Sequence, residues 1–485
     1  MTGLPAAGQA RTEITGRFGL RRFAQSAGLL SLTSVASFAR AVITAKLFAV
    51  TLGPSLVGVL AQIFNFSAFV SVIIPLGLTT GVARMVALKS GDEAGVGRIV
   101  ATASVLALAS AALAAALLVP AAVPISIGLT GSSRYTIAVI LIIASFPLFN
   151  LSGVLAYVLQ GLADIRRLTT ANIASAALAV VTLIPLTLAY GINGAMAAVL
   201  VSSVAQAIVF TWSLWRAFAA RAWRFVQLRI DKRVARELLE YGGILLMGGI
   251  ISWGAVLTVR TITLHTVGSS ANGMYQVVFG LSTQYITVFM TWMAAYVFPR
   301  IVSEAAQGKL GQLLNSGLRA NLAIMVPVLV IAVALRDPLI RIFYSSTFLA
   351  AGPLIPLQVV GDYARIVGWS FAVCLFAIGR TRSHLAVIAS QSIVWVALAA
   401  LLIPVWGLTA VPVAYSLSYL TYPLLGIALV RHWVGVLPDR WAVMLILVGL
   451  LCVVGAYAPM FAGVLLVPIV PVAVYLLNRH ELRKA

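Results

Sequence analysis

The chain has 485 residues, of which 61% are hydrophobic and only 9% charged, with a mean hydropathy of +1.05. A soluble chain carries about 25% charged residues, so this composition excludes a water-soluble architecture and places most of the mass in a bilayer. The formal net charge of +21 would suggest a nucleic-acid partner in a soluble protein, a reading that the placement of the charges removes.

Apolar runs of about 18–28 residues recur along the chain, divided by short polar turns, and each is long enough to cross a hydrocarbon core. The pattern predicts an all-α, polytopic membrane protein with fourteen transmembrane helices. Residues 1–23 precede the first. Six helices starting near Ala24, Val57, Ile99, Tyr135, Thr169 and Ile192 fill residues 24–216. The first is too long for the apolar region of a signal peptide and lacks a clear cleavage site, so it reads as uncleaved. A basic connection follows at residues 217–240, with Trp212, Trp215, Trp223 and Phe225 nearby. It suits either a helix lying on headgroups or a plain orientation anchor. Six more helices start near Tyr241, Ala271, Arg319, Pro353, Ser383 and Leu408 and fill residues 241–431. Two accessory helices near Trp441 and Phe461 occupy residues 441–478, and residues 479–485 form a tail.

With the N-terminus in the cytoplasm, 26 of the 33 Lys and Arg fall in cytoplasmic connections, and the outer ones hold only Arg134, Arg336 and Arg341. This asymmetry predicts both termini inside and accounts for the net charge without nucleic acid. The outer turns are short, so no external domain is expected.

The two halves begin alike. Thr51, Gly53, Ser55, Gly58 and Phe64 are matched at a constant offset of 215 by Thr266, Gly268, Ser270, Gly273 and Phe279. Both stretches sit at the first outer turn of their half. That predicts a parallel repeat with a pseudo-twofold axis along the membrane normal, and a cavity between two lobes.

Four cations remain inside apolar segments: Arg40, Lys46, Arg260 and Arg365. An ionisable group at membrane depth costs about 2.5–3.5 kcal/mol on insertion scales and normally faces something that needs it. A cluster almost entirely positive predicts an anionic cargo. Arg40 and Lys46 lie six residues apart in the first helix, about 9 Å of rise and roughly 120° around the axis. The repeat aligns Arg260 with Ala45, beside Lys46. Snorkelling to the outer headgroups is the alternative, more natural for Lys46 than for the deeper Arg40.

Asp362 is the one carboxylate placed in the apolar region, three residues before Arg365 and therefore on the same helix face. It is either half of a structural ion pair or a site that couples transport to a proton or a monovalent cation. Gln62 and Asn65 lie three apart in the second helix, with Gln160, Asn172, Gln206, Gln284, Gln358 and Gln391 scattered elsewhere. Sugar hydroxyls need such neutral partners, but helix–helix hydrogen bonds use the same groups.

The two cysteines, Cys374 and Cys452, supply neither a disulfide framework nor a metal-ligand spacing. There is no phosphate-binding glycine loop and no His/Glu metal motif, so the chain reads as a transporter rather than an ATPase or a metalloenzyme, and no cofactor is expected.

At Leu52-Gly53-Pro54-Ser55-Leu56-Val57-Gly58-Val59, and again at Pro75-Leu76-Gly77-Leu78-Thr79-Thr80-Gly81-Val82-Ala83-Arg84-Met85-Val86-Ala87, the chain resembles the polysaccharide-lipid flippases of the multidrug/oligosaccharidyl-lipid/polysaccharide exporter superfamily. The likeness is greatest to O-antigen and enterobacterial common antigen translocases. The resemblance implies a V-shaped bundle of two six-helix lobes plus two accessory helices. It also implies a monomer in the bacterial inner membrane, with a polysaccharide polymerase as a further partner. The implied cargo is an undecaprenyl-diphosphate-linked glycan, moved from inner to outer leaflet by alternating access through a basic chamber made by Arg40, Lys46, Arg260 and Arg365. Lipid II flippases are the nearest rivals, but their acidic residue between the two motif stretches is not evident. Multidrug exporters place a carboxylate in the first helix, where this chain has Arg40 and Lys46.

Overall fold

The computed structural model describes residues 20–75, 77–221, 230–305, 310–457 and 465–482. Most of the segment before Ala24, the middle of the 217–240 connection with Trp223 and Phe225, the start near Phe461 and the last three residues of the tail lie outside the described residues. Every regular element among the described residues is helical.

The first lobe comprises α1 (Leu20–Thr51), α2 (Gly53–Ile73), α3 (Leu78–Leu88), α4 (Glu93–Leu118), α5 (Ala122–Thr130), α6 (Thr136–Gly161) and α7 (Ile165–Ala219). The second comprises α8 (Lys232–Val267), α9 (Ser269–Trp292), α10 (Phe298–Ala305), α11 (Leu310–Ala334), α12 (Arg336–Phe343), α13 (Leu354–Ala377), α14 (Thr381–Trp406), α15 (Ala410–Tyr419) and α16 (Thr421–Val434). The accessory helices are α17 (Arg440–Gly455) and α18 (Ile469–Leu482). A π-helical turn at Met293–Val297 joins α9 to α10. Gly191, at φ 57° and ψ −129°, breaks α7 into two arms, a conformation that excludes a side chain with a β-carbon.

Acidic residues are spent on helix starts. Asp92, Asp164, Asp231 and Asp439 each accept a hydrogen bond from a backbone N–H of the first turn that follows. Such caps are worth about 1 kcal/mol each, and they keep carboxylates at helix ends, out of the apolar interior. Arg319 reaches across to Asp439 at 2.5 Å and ties α17 to α11.

Nine segments among the described residues are long and apolar enough to cross a membrane, and two of these, Ile165–Ala219 and Thr381–Val434, are double-length. The expected fourteen crossings are not all met by this measure. Ser269–Trp292 carries too many polar residues, while α17 and α18 have only 16 and 14 residues.

The lobes meet along α2 and α9. A β-carbon on Gly58 would lie 1.9 Å from the Ser269 carbonyl oxygen, and one on Gly273 would lie 1.9 Å from that of Pro54. The two glycines that the repeat aligns therefore pack against each other's helix, and only glycine permits that approach. Asn272 Nδ2 donates to the Gly58 carbonyl at 2.9 Å, and the Ser55 and Ser269 hydroxyls pair at 2.6 Å. Lipid offers no hydrophobic drive between helices, so small residues and interhelical hydrogen bonds of this kind carry the association.

Candidate functional site

α1 presents two different faces. Ser37, Arg40 and Thr44, spaced as one helical stripe, line a cavity of about 230 Å³ inside the first lobe. Phe38, Ala41, Val42 and Ala45, roughly 100° around the helix, line a second cavity of about 300 Å³ against the other lobe.

The first cavity is the more polar of the two, with one apolar side made by Phe48, Phe64 and Phe149. Opposite Arg40 stand Asn172, Ser175, Ser202 and Gln206. Asn172 and Ser175 belong to one arm of α7, Ser202 and Gln206 to the other. The fold at Gly191 brings the arms side by side, and Thr182 and Ser202 join them through hydroxyls 3.0 Å apart. The Ser175 hydroxyl has no partner within the protein, and Arg40 is exposed. A guanidinium facing neutral carboxamides and hydroxyls is suited to a phosphate that carries hydroxylated groups.

The other expected cations are elsewhere. Lys46 Nζ donates to the backbone carbonyl of Arg341 at 2.7 Å, fastening α1 to α12. Arg260 is fully buried. Its Nη2 donates to Gln276 Oε1 at 2.6 Å, and its guanidinium lies 5.2 Å from the Tyr275 ring centroid and 5.9 Å from that of Phe279. Arg365 is half-buried, donates to the Tyr415 hydroxyl at 3.4 Å and rests over Tyr419. In this conformation the four cations do not share one cavity: Arg40 lines the first cavity, and each of the other three has its own protein contacts, with Arg260 Nε and Nη1 and Arg365 Nε left without a hydrogen-bond partner.

Gln62 and Asn65 do not join Arg40 either. Gln62 is fully buried and donates to Thr261 Oγ1 at 2.5 Å and, more weakly, to the Leu257 carbonyl at 3.4 Å, both on α8. Asn65, also on α2, is buried with its Nδ2 unpartnered.

Asp362 is fully buried and forms no ion pair with Arg365. Its carboxylate accepts from Ser282 Oγ at 2.7 Å, Tyr285 Oη at 2.5 Å and Tyr415 Oη at 2.7 Å. Three helices, α9, α13 and α15, are tied at this one group. The i,i+3 spacing brought the two side chains to one helix face, but hydroxyls of neighbouring helices satisfied the acid first. Ser282 and Tyr285 repeat at one-turn spacing on α9, and Tyr415, Tyr419 and Tyr422 repeat at i, i+4, i+7. That periodicity was the sequence signal for these partners, which reasoning from charge alone passed over. Ser282, Tyr285 and Gln358 also form the polar floor of the second cavity.

A family model described as "Polysaccharide biosynthesis protein" matches residues 47–353. Among curated relatives, the Lipid III flippases of Escherichia coli (strain K12) and Shigella flexneri are each 22% identical over 383 residues, covering 78% of this chain and 90% of theirs. Among solved structures, an inward-facing multidrug resistance MATE family transporter of the MOP superfamily aligns with a TM-score of 0.71 at 15% identity, covering 84% of this chain and 98% of that one. Its outward-facing counterpart aligns at 0.62, with 15% identity and coverage of 84% and 94%. A MOP superfamily transporter from Pyrococcus furiosus aligns at 0.60, with 17% identity and coverage of 84% and 93%. The fold is that of MOP superfamily transporters.

Proposed function

We propose, from the premise that the chain belongs to the polysaccharide biosynthesis protein family, that it is a flippase for a lipid-linked glycan precursor, a transporter and not an enzyme. The observation that carries this reading is the cavity joining Arg40 to Asn172, Ser175, Ser202 and Gln206. Arg40 takes the diphosphate through charge-assisted hydrogen bonds, and the carboxamides and hydroxyls replace the water around the first sugars. The curated relatives, both named lipid III flippases, support the same cargo class.

In this reading the termini are cytoplasmic and the Gly58–Gly273 seam closes the outer end, so the cavity loads from the inner leaflet. The lobes then part at the seam to release cargo outward. The cell interior is negative, and about 2.3 kcal/mol is gained per elementary charge that crosses 100 mV. An anionic head therefore moves outward with the field. Asp362 is the proposed coupling group for a proton or a monovalent cation, since a change in its charge would loosen three helices together. Lys46, Arg260, Arg365, Gln62 and Asn65 act on cargo in a later conformation that frees them from the contacts described above.

Within this class, lipid II is the second reading, because it offers Arg40 the same diphosphate beneath a sugar. A cationic drug is disfavoured by the sign of the charge in the cavity. The test is a vesicle assay with the purified full-length chain and fluorescent lipid-linked cargo. Protein-dependent movement of an undecaprenyl-diphosphate oligosaccharide, lost in Arg40→Ala, supports the reading. Equal movement by Arg40→Ala overturns the assignment of the cavity, and movement of lipid II in preference to the oligosaccharide selects the second reading.

A further inference from the structure

The two faces of α1 match the two ends of an amphipathic cargo. The face bearing Ser37, Arg40 and Thr44 looks into the polar cavity of the first lobe. The face bearing Phe38, Ala41, Val42 and Ala45 looks into a mostly apolar groove walled by α9, α11, α12 and α13. Two small side chains, Ala41 and Ala45, one turn apart, keep that groove open along the helix. Its volume of about 300 Å³ lies at the low end of pockets that bury a drug-sized ligand. It suits a stretch of chain and is too small for a sugar head as well. Outside the lining, Lys46 of α1 bonds the Arg341 carbonyl of α12 and holds the two helices together. Phe38 meets Phe343 edge-on at 6.1 Å, and both rings line the groove.

We propose that this groove holds the polyprenyl chain of the cargo next to its diphosphate, so that the cargo straddles α1 with its head on the Arg40 face and its chain on the Ala41–Ala45 face. This rests on the flippase reading and adds to it the site of the chain. The groove guides the chain more than it anchors it. Lipid tails are as apolar as the groove walls, so what the chain gains is packing, not transfer out of water. Guidance is still selective. A chain laid in the groove fixes which face of α1 the diphosphate must cross. It also puts the chain against Ser282 and Tyr285, which hold Asp362. Chain occupancy and the state of the three-helix tie are then in direct contact.

The experiment compares two cargoes with the same sugar diphosphate, one on an undecaprenyl chain and one on a short citronellyl chain, in vesicles containing the full-length protein. Ala41→Trp and Ala45→Trp fill the groove from α1, and Val288→Trp fills it from α9. The expected result is that each slows the long-chain cargo about threefold to tenfold, a loss of about 0.6–1.4 kcal/mol at about 1.36 kcal/mol per tenfold, and leaves the short-chain cargo at the wild-type rate. Equal slowing of both cargoes, or no slowing of either, overturns the groove. A chain-borne diazirine that labels α1, α9 or α12 supports it, and displacement of that label by excess phosphatidylglycerol overturns it in favour of a general phospholipid site. Arg40→Ala serves as the separate control. If it leaves both cargoes at full rate, the head-site reading fails whatever the groove variants do.

Discussion

Gly58 and Gly273, 215 positions apart, lie against each other's helices so closely that a methyl group on Gly58 would meet the Ser269 carbonyl oxygen and one on Gly273 that of Pro54. The seam between the lobes is therefore made by the two copies of one repeated motif. Replacing Gly58 by Leu inserts a side chain where no space exists, and overpacking of this kind costs about 1–3 kcal/mol. The expected result is a lower melting temperature in detergent and faster thiol labelling of a cysteine placed at Ser55. Gly53, five residues before Gly58 and with nothing within 4 Å of its β-position, has φ +71° and would be strained by substitution. Gly91, also open, is the proper control: Gly91→Ala should leave both readouts unchanged.

If the seam must part for release, tying it shut should stop transport. Ser55 and Ser269 oppose each other with hydroxyls 2.6 Å apart. A Ser55→Cys/Ser269→Cys double variant should cross-link under mild oxidant, halt flipping, and recover on reduction. The native Cys374 and Cys452 are buried and should not interfere. Full transport by the cross-linked protein would mean that release does not pass through this seam.

Much of this arrangement was legible in the chain. Helical spans followed from apolar run length, and the equivalence of Gly58 with Gly273 followed from a constant offset. What could not be read was how side chains on different helices face one another. Arg40, Asn172 and Gln206 were each visible as polar residues in apolar runs. Their meeting depends on the bend at Gly191, which no periodicity announces. Spacing placed Asp362 and Arg365 on one face, yet Tyr415 stands between them, accepting from the arginine and donating to the acid. Arg260 was expected at a cavity because burial of a charge is costly. The aromatic rings of Tyr275 and Phe279 and the Gln276 amide supplied a packed alternative.

The polar cavity gives a graded series. A hydrogen bond to a charged group contributes about 1.5–3 kcal/mol, so Arg40→Ala should reduce flipping roughly tenfold to a hundredfold. Arg40→Lys keeps the charge but loses the bidentate fork and should fall between. Asn172→Ala and Gln206→Ala remove neutral partners worth about 1 kcal/mol and should each reduce the rate about fivefold. A flat response across the four variants would place the head of the cargo elsewhere.

Asp362 separates a coupling role from a structural one. Asp362→Asn keeps the volume and one acceptor oxygen, so the Ser282, Tyr285 and Tyr415 hydroxyls lose part of their shared acceptor and the cost in stability should be about 1–3 kcal/mol. If the acid also carries the coupling charge, transport in Asp362→Asn should lose its response to an imposed pH or sodium gradient while keeping its response to membrane potential. Tyr415→Phe is the companion. It removes the bridge to Arg365 but leaves the acid in place, so it should lower stability and retain the gradient response. An unchanged gradient response in Asp362→Asn would reduce the acid to a structural tie.

Lys46 offers the narrowest test of which cations act on cargo. Its ammonium is directed at a backbone carbonyl, that of Arg341, which needs a donor and not a full charge. Lys46→Gln supplies a shorter neutral donor on a similar stem, and Lys46→Met supplies the stem alone. If the residue serves to hold α1 against α12, Gln should retain most of the wild-type transport rate, and Met should lose stability by about 0.5–1.5 kcal/mol, the net value of a typical hydrogen bond. If instead Lys46 binds a phosphate during the cycle, Gln and Met should fail alike, and the loss should grow with ionic strength lowered, where charge–charge attraction in the wild type is least screened. Measuring the flipping rate of the three proteins at two salt concentrations decides between a fastening of the helix and a station on the path of the cargo.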